Sequence, residues 1–133
     1  MKLLDVLFCD DVRFEANNKM SVMGLYNDRM VYPKAAQWPV TSRMAVLMRF
    51  SIDQQEQLPR SFELKCFLKD KNVIEVKGEI QPNSSQSVVC LVVNAEGVQL
   101  DIGELGYEIS MYDENKEVIL NKKSKSAIKI MME

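Results

Sequence analysis

The chain of 133 residues contains no histidine at all. That removes the usual general base, the commonest zinc and copper ligand, and every Ser-His or Cys-His nucleophile pair. Carboxylate-only and Ser-Lys mechanisms survive this exclusion, but no spacing suggests one. Cysteine is scarce: Cys9, Cys66 and Cys90 form no C-x-x-C pair and are odd in number. Set in apolar runs, they read as buried thiols of a reducing cytoplasm rather than a disulfide frame. No run approaches the roughly 20 apolar residues of a membrane span. The opening "MKLLDVLFCDD" is broken by Asp5, too early for the uninterrupted core of about 7–15 residues in a secretory signal. A net charge of −2 supplies no field to draw in nucleic acid or an anionic membrane. The lysines Lys116, Lys122, Lys123, Lys125 and Lys129 have no interleaved aromatics and are diluted by Glu117 and Glu133, which reads as a solvated hairpin.

What is present is an ordinary globular composition, 47% apolar and 27% charged, in a length that suits one domain, residues 1–133, with its own core. Strand signals recur almost throughout. Leu3 to Ala16 is extended, and "NNK" closes a hairpin because asparagine tolerates positive φ. "KMSVMGLYND" returns, with Met20, Val22, Gly24 and Tyr26 on one face. "RMVYPKAAQWPVTS" reads as a crossover loop pinned by Trp38 between Pro33 and Pro39, with room for one helical turn at Ala35 and Ala36. Arg43 to Asp53 is a dense apolar run suited to a central strand, and "QQEQLPR" breaks it.

"SFELKCFLKDKNVIEVKGEIQ" is a hairpin, Phe62, Leu64, Cys66 and Leu68 alternating with polar neighbours before a turn at "KDKN". "PNSSQ" is a loop whose serines (Ser84, Ser85) are explained, like Ser87, by turn chemistry, and "SVVCLVVN" is a buried strand. "AEGVQL" reads as a connection, followed by a strand with Tyr107, Ile109 and Met111 alternating, a turn at "DENK" and a further strand. An edge strand is expected at Ala127 to Met131. Strands every 8–12 residues without helical periodicity indicate an all-β fold. The expected architecture is a single immunoglobulin- or fibronectin-like antiparallel sandwich of about 7–9 strands. Leu105, Gly106 and Tyr107 have the flavour of a tyrosine corner, where a phenol hydroxyl ties a crossing loop to the strand.

The first strand carries an irregularity. In "LFCDDVRFE", Val6, Phe8, Val12 and Phe14 share one parity, and Asp10 interrupts them. A fully buried, unpaired carboxylate would cost several kcal/mol, so the strand must kink or supply a partner. A β-bulge between Cys9 and Asp11 would flip the alternation and turn Asp10 outward, with Arg13, Arg43 and Arg49 available to pair. The competing reading makes Asp5, Asp10 and Asp11 oxygen ligands for a cation, with Asp53, Glu56, Asp70, Asp113 and Glu114 in loops. Calcium requires six to eight oxygens, and no D-x-D-x-D-G string is present. Asp10, Asp11, Gly24 and Tyr107 are therefore read as structural, and neither a metal nor a cofactor is expected.

"FCDDVRFEANNKMSVMGLYNDRMVYP" resembles the opening of a family of small uncharacterised bacterial and phage proteins. Their pattern runs Cys-Asp, a short strand, a Gly-Lys turn, then Ser, an apolar pair, Gly and an aromatic. The matching positions are Cys9, Asp10, Asp11, Lys19, Ser21, Gly24 and Tyr26. Asn18 stands where the pattern has Gly, a mild departure because Asn also adopts positive φ. The resemblance covers about the first thirty residues and implies a compact β-sandwich of bacterial or phage origin. It implies no activity.

The best binding candidate is the loop holding Tyr26, Arg29, Tyr32 and Trp38, residue types that dominate interface hot spots. Its competing reading is that Trp38 caps an open end of the sandwich. Most of the nine methionines read as core filling, though some could form an adaptable surface. The expectation is a non-enzymatic cytoplasmic interaction or assembly module that meets a protein partner or itself through a sheet edge or the Tyr32–Trp38 loop. The alternative is a small-ligand or divalent-cation-binding domain.

Overall fold

The computed structural model describes residues 1–53, 57–81 and 87–133. Glu56, Ser84 and Ser85 lie outside the described residues. In chain order the strands are β1 (Lys2–Glu15), β2 (Lys19–Tyr26), β3 (Arg29–Tyr32), β4 (Val40–Ser51), β5 (Ser61–Leu68), β6 (Lys71–Glu79), β7 (Val88–Leu100), β8 (Gly103–Tyr112) and β9 (Val118–Met132). They form a four-stranded sheet ordered β2-β1-β4-β7 and a five-stranded sheet ordered β3-β9-β8-β5-β6. Two such sheets bury their inner faces against each other, which gives a β-sandwich.

The inner faces follow from alternation. From β4, Met44, Val46, Met48 and Phe50 enter the core, meeting Leu64 and Cys66 of β5, Ile109 and Met111 of β8 and Ile130 of β9. Each such side chain, fully removed from water, contributes about 1.5–3 kcal/mol. The continuous apolar run of β4 reflects burial on both faces. Ala45 and Leu47 point to the outer side of the four-stranded sheet, where Cys9 and Val12 join them and Leu7, Met20 and Val92 pack around. The far half of the β1–β2 hairpin therefore lies against that outer face. Asn17 and Asn18 both take positive φ at its tip, and Lys69 and Asp70 do the same in the two-residue turn from Leu68 to Lys71, as a type I′ hairpin requires.

Several expectations need correction. The sandwich is not wholly antiparallel, because β3 pairs in parallel with β9, Arg29 with Lys129 through Tyr32 with Met132. The segment read as a loop thus contains a short strand, and Ala35–Ala36 belongs to a turn closed by Ala36 N–H on Pro33 O at 3.0 Å. "AEGVQL" is not a connection: β7 runs on through a bulge at Glu96–Gly97, opposite the step from Ser42 to Met44, with Gly97 at φ +68°. The stretch from Ala127 is not an edge strand. It is the end of the fifteen-residue β9, held between β3 and β8.

Candidate functional site

The kink expected in β1 is present, but not as an inserted residue. Cys9 pairs with Leu25 and Asp11 with Met23 in one unbroken register. The bulge of β1 lies at Leu4 instead, where the β4 ladder shifts between Leu3 and Asp5. At Asp10 the irregularity belongs to the opposite strand, where Gly24 sits at φ +66°. A Cβ there would fall 2.1 Å from Asp10 Oδ2. Only glycine leaves room for the carboxylate to lie over β2. Asp10 is exposed, and its partner is not an arginine: the Tyr26 hydroxyl donates to Oδ1 at 2.7 Å. Partial burial, reinforced by the Asp10 bond, holds the Tyr26 phenol protonated well above its ordinary range. Three residues of the N-terminal pattern, Asp10, Gly24 and Tyr26, thus meet in one cross-strand contact.

The arginines serve the other carboxylates. Arg13 Nε and Arg43 Nη2 reach Asp11 at 3.2 and 3.0 Å, and the Arg13 hydrogen bond, with the Arg43 charge, holds that carboxyl below its usual range. Arg49 Nε lies 3.0 Å from both oxygens of Asp5. Asp113, nominated for cation binding, is buried and accepts the N–H groups of Asn115 and Glu117 at 2.8 and 2.9 Å. It organises the β8–β9 turn, which the D-E-N-K order could have signalled. Among the described residues no group of three or more Asp, Glu or Cys is placed to hold a metal ion.

The four residues of the candidate interface are not brought to one surface. Tyr32 and Trp38 meet edge to face, centroids 5.5 Å apart, and both pack partly buried against the main core. The Tyr32 hydroxyl reaches Ser42 Oγ at 3.4 Å. Arg29 is exposed and pairs with Asp28 at 3.0 Å. Tyr26 lines a cleft of about 480 Å³ between the sheets, with Phe8, Leu25, Ser124 and Tyr107. Tyr107 lies in the middle of β8, beside Cys66 of β5, rather than at the strand's start. Its hydroxyl makes no hydrogen bond among the described residues, so the tie of a tyrosine corner is not formed. Cys9 and Cys66 are buried, and burial pushes the Cys66 thiol up to about 12. Cys90, expected to be buried, is exposed on β7 because its side chain faces outward at the sheet's edge.

Residue-by-residue reading missed the β2 edge. Among the described residues this strand has β1 on one side and no strand on the other. Val22, Met23 and Leu25 are 37%, 44% and 47% exposed. No charged residue occurs from Met20 to Tyr26, and that uncharged run was the available signal. The other edges differ. β6 carries Lys71, Glu75, Lys77 and Glu79, β3 has four residues, and β7 runs beside β6 and is bulged.

The chain matches a family of unknown function, DUF6941, over residues 4–126. It belongs to that family. The match takes in β1 from Leu4, all of β2 to β8 and β9 as far as Ser126, so the Asp10–Gly24–Tyr26 contact and the β2 edge both fall within the family's region. A comparison with the curated proteins finds no match.

Proposed function

We propose that this domain is a non-enzymatic, cytoplasmic protein-interaction or assembly module, and that its docking element is the free edge of β2. The observation that carries this reading is the uncharged, apolar edge from Met20 to Tyr26, with Val22, Met23 and Leu25 exposed. Soluble sheet proteins normally blunt such edges with charge, proline, bulges or brevity, as β6, β7 and β3 do here. An edge left open fits strand addition, in which main-chain hydrogen bonds give affinity and alternate side chains give specificity.

An immunoglobulin-like descent of the scaffold is part of the proposal. With β2 and β3 set aside, the strands run β1-β4-β7 and β9-β8-β5-β6. This matches strands A-B-E and G-F-C-C′ of that sandwich. β2 is then an addition to the frame, placed where it offers an edge.

The test is Met23→Lys, which sets a charge on the edge at an exposed position. The expected result is loss of self-association or partner capture by the variant, with unchanged circular dichroism and melting temperature. A wild-type chain that neither self-associates nor retains any protein from its host lysate overturns the reading.

A further inference from the structure

We infer that the occupant of the β2 edge is a second copy of this chain, paired antiparallel through β2 itself about a twofold axis, joining two four-stranded sheets into one of eight. The inference rests on the reading of β2 as the docking edge and adds what docks there.

Charge at the two ends of the strand decides the occupant. Lys19, at the hairpin end, has no ion-pair partner among the described residues. At the other end Asp10 lies over Gly24 and, among the described residues, its one hydrogen-bond donor is the neutral Tyr26 hydroxyl. Its neighbour Asp28 is already neutralised by Arg29. Antiparallel pairing exchanges these ends. With the axis at Val22, Met20 of one copy stands opposite Gly24 of the other and Lys19 one residue further along, so each free ammonium can reach the carboxylate lying over that glycine, and the twofold axis makes the contact twice. Strands in a sheet stand about 4.7–4.9 Å apart, within reach of the lysine stem. Parallel pairing would set Lys19 against Lys19 and Asp10 against Asp10, which opposes it.

The rest of the strand is compatible with its own image. No charge or proline interrupts Met20 to Tyr26, so no like charges are opposed and each N–H that points away from β1 can donate to the ladder. Val22 and Met23 point to opposite faces by strand alternation, so apolar surface is buried on both sides of the junction. An edge of eight residues is roughly 27 Å long. That places the contact at the small end of specific interfaces, and the dimer is expected to form reversibly in the micromolar range and to weaken with salt.

The experiment is sedimentation velocity from low to high micromolar protein, together with hydrogen exchange of the β2 segment at both ends of that range. The expected result is a concentration-dependent dimer of the 15.3 kDa chain whose β2 amides gain protection as it forms. Met23→Lys should abolish it, and Lys19→Glu, which sets like charges together, should weaken it by roughly tenfold, both with unchanged melting temperatures. A dimer insensitive to both substitutions, or one without added β2 protection, overturns the inference. A strict monomer also overturns it. If that monomer retains a host protein that Met23→Lys loses, the interaction reading survives with a different occupant. If it retains nothing, both fall.

Discussion

At the scale of single residues, the contact between Asp10 and Gly24 sets the sharpest expectation. Replacing Gly24 by alanine puts a methyl group where the carboxylate lies, on a backbone at φ +66°. The left-handed conformation alone costs an L-residue about 1–2 kcal/mol, and displacing Asp10 also breaks its bond to Tyr26. Gly24→Ala should therefore destabilise by at least about 2 kcal/mol in denaturant unfolding. In the double variant Asp10→Ala with Gly24→Ala the clash with the carboxylate should vanish, leaving the backbone part and the tight 3.0 Å approach to the residue 10 Cβ, a non-additivity that a double-mutant cycle measures. Sequence alone showed that Asp10 was out of place in an apolar parity, because alternation is a strict rule of strands. It could not show that the accommodation lies across the ladder, because a glycine's φ is invisible in its own letter. Nor could it assign Asp5 and Asp11 to their arginines, since three carboxylates and three arginines permit several pairings and register chooses among them.

At the scale of elements, the β8–β9 turn depends on one buried carboxylate. Asp113 accepts two backbone N–H groups, while its own N–H and carbonyl bond Glu117 O and Lys116 N–H at 3.0 Å each. Asp113→Ala leaves two donors without their acceptor. The expected cost is about 1–3 kcal/mol, read as a lower denaturant midpoint with an unchanged slope; Asp113→Asn, which keeps an acceptor, should recover part of it. The β5–β6 hairpin was legible for the same local reasons that hold it: clean alternation and a two-residue turn of permissive residues. β3 was not, since four residues beside a proline carry no period and their partner strand is remote in sequence. The second half of β7 was hidden by Gly97, whose bulge mimics a loop in the letters while the ladder continues.

At the scale of the whole molecule, strand spacing revealed the sandwich, and the partition of strands between sheets stayed hidden, because pairing is decided by long-range packing. The parallel β3–β9 pair is the clearest case. β3 is the edge of its sheet, and the C-terminal segment ties its flanks by Lys129 N–H to Asp28 O and by Glu133 N–H to Tyr32 O. Truncation after Ile128 should remove that support, loosen the Tyr32–Trp38 contact, shift Trp38 fluorescence to the red and lower the melting temperature by several degrees. A truncated chain with native fluorescence and melting would show that the aromatic pair holds β3 unaided.

The same pairing imposes an order on biosynthesis. Arg29 must wait for Lys129, so β3 leaves the ribosome long before its ladder with β9 exists. The β1–β2 hairpin, closed between near neighbours, can form early, whereas β3 and the aromatic pair behind it are seated only after β9 has emerged. Until then the nascent chain carries Met30, fully buried in the finished fold, uncovered, and that interval is when a chaperone, or a second nascent chain on the same message, has access to it.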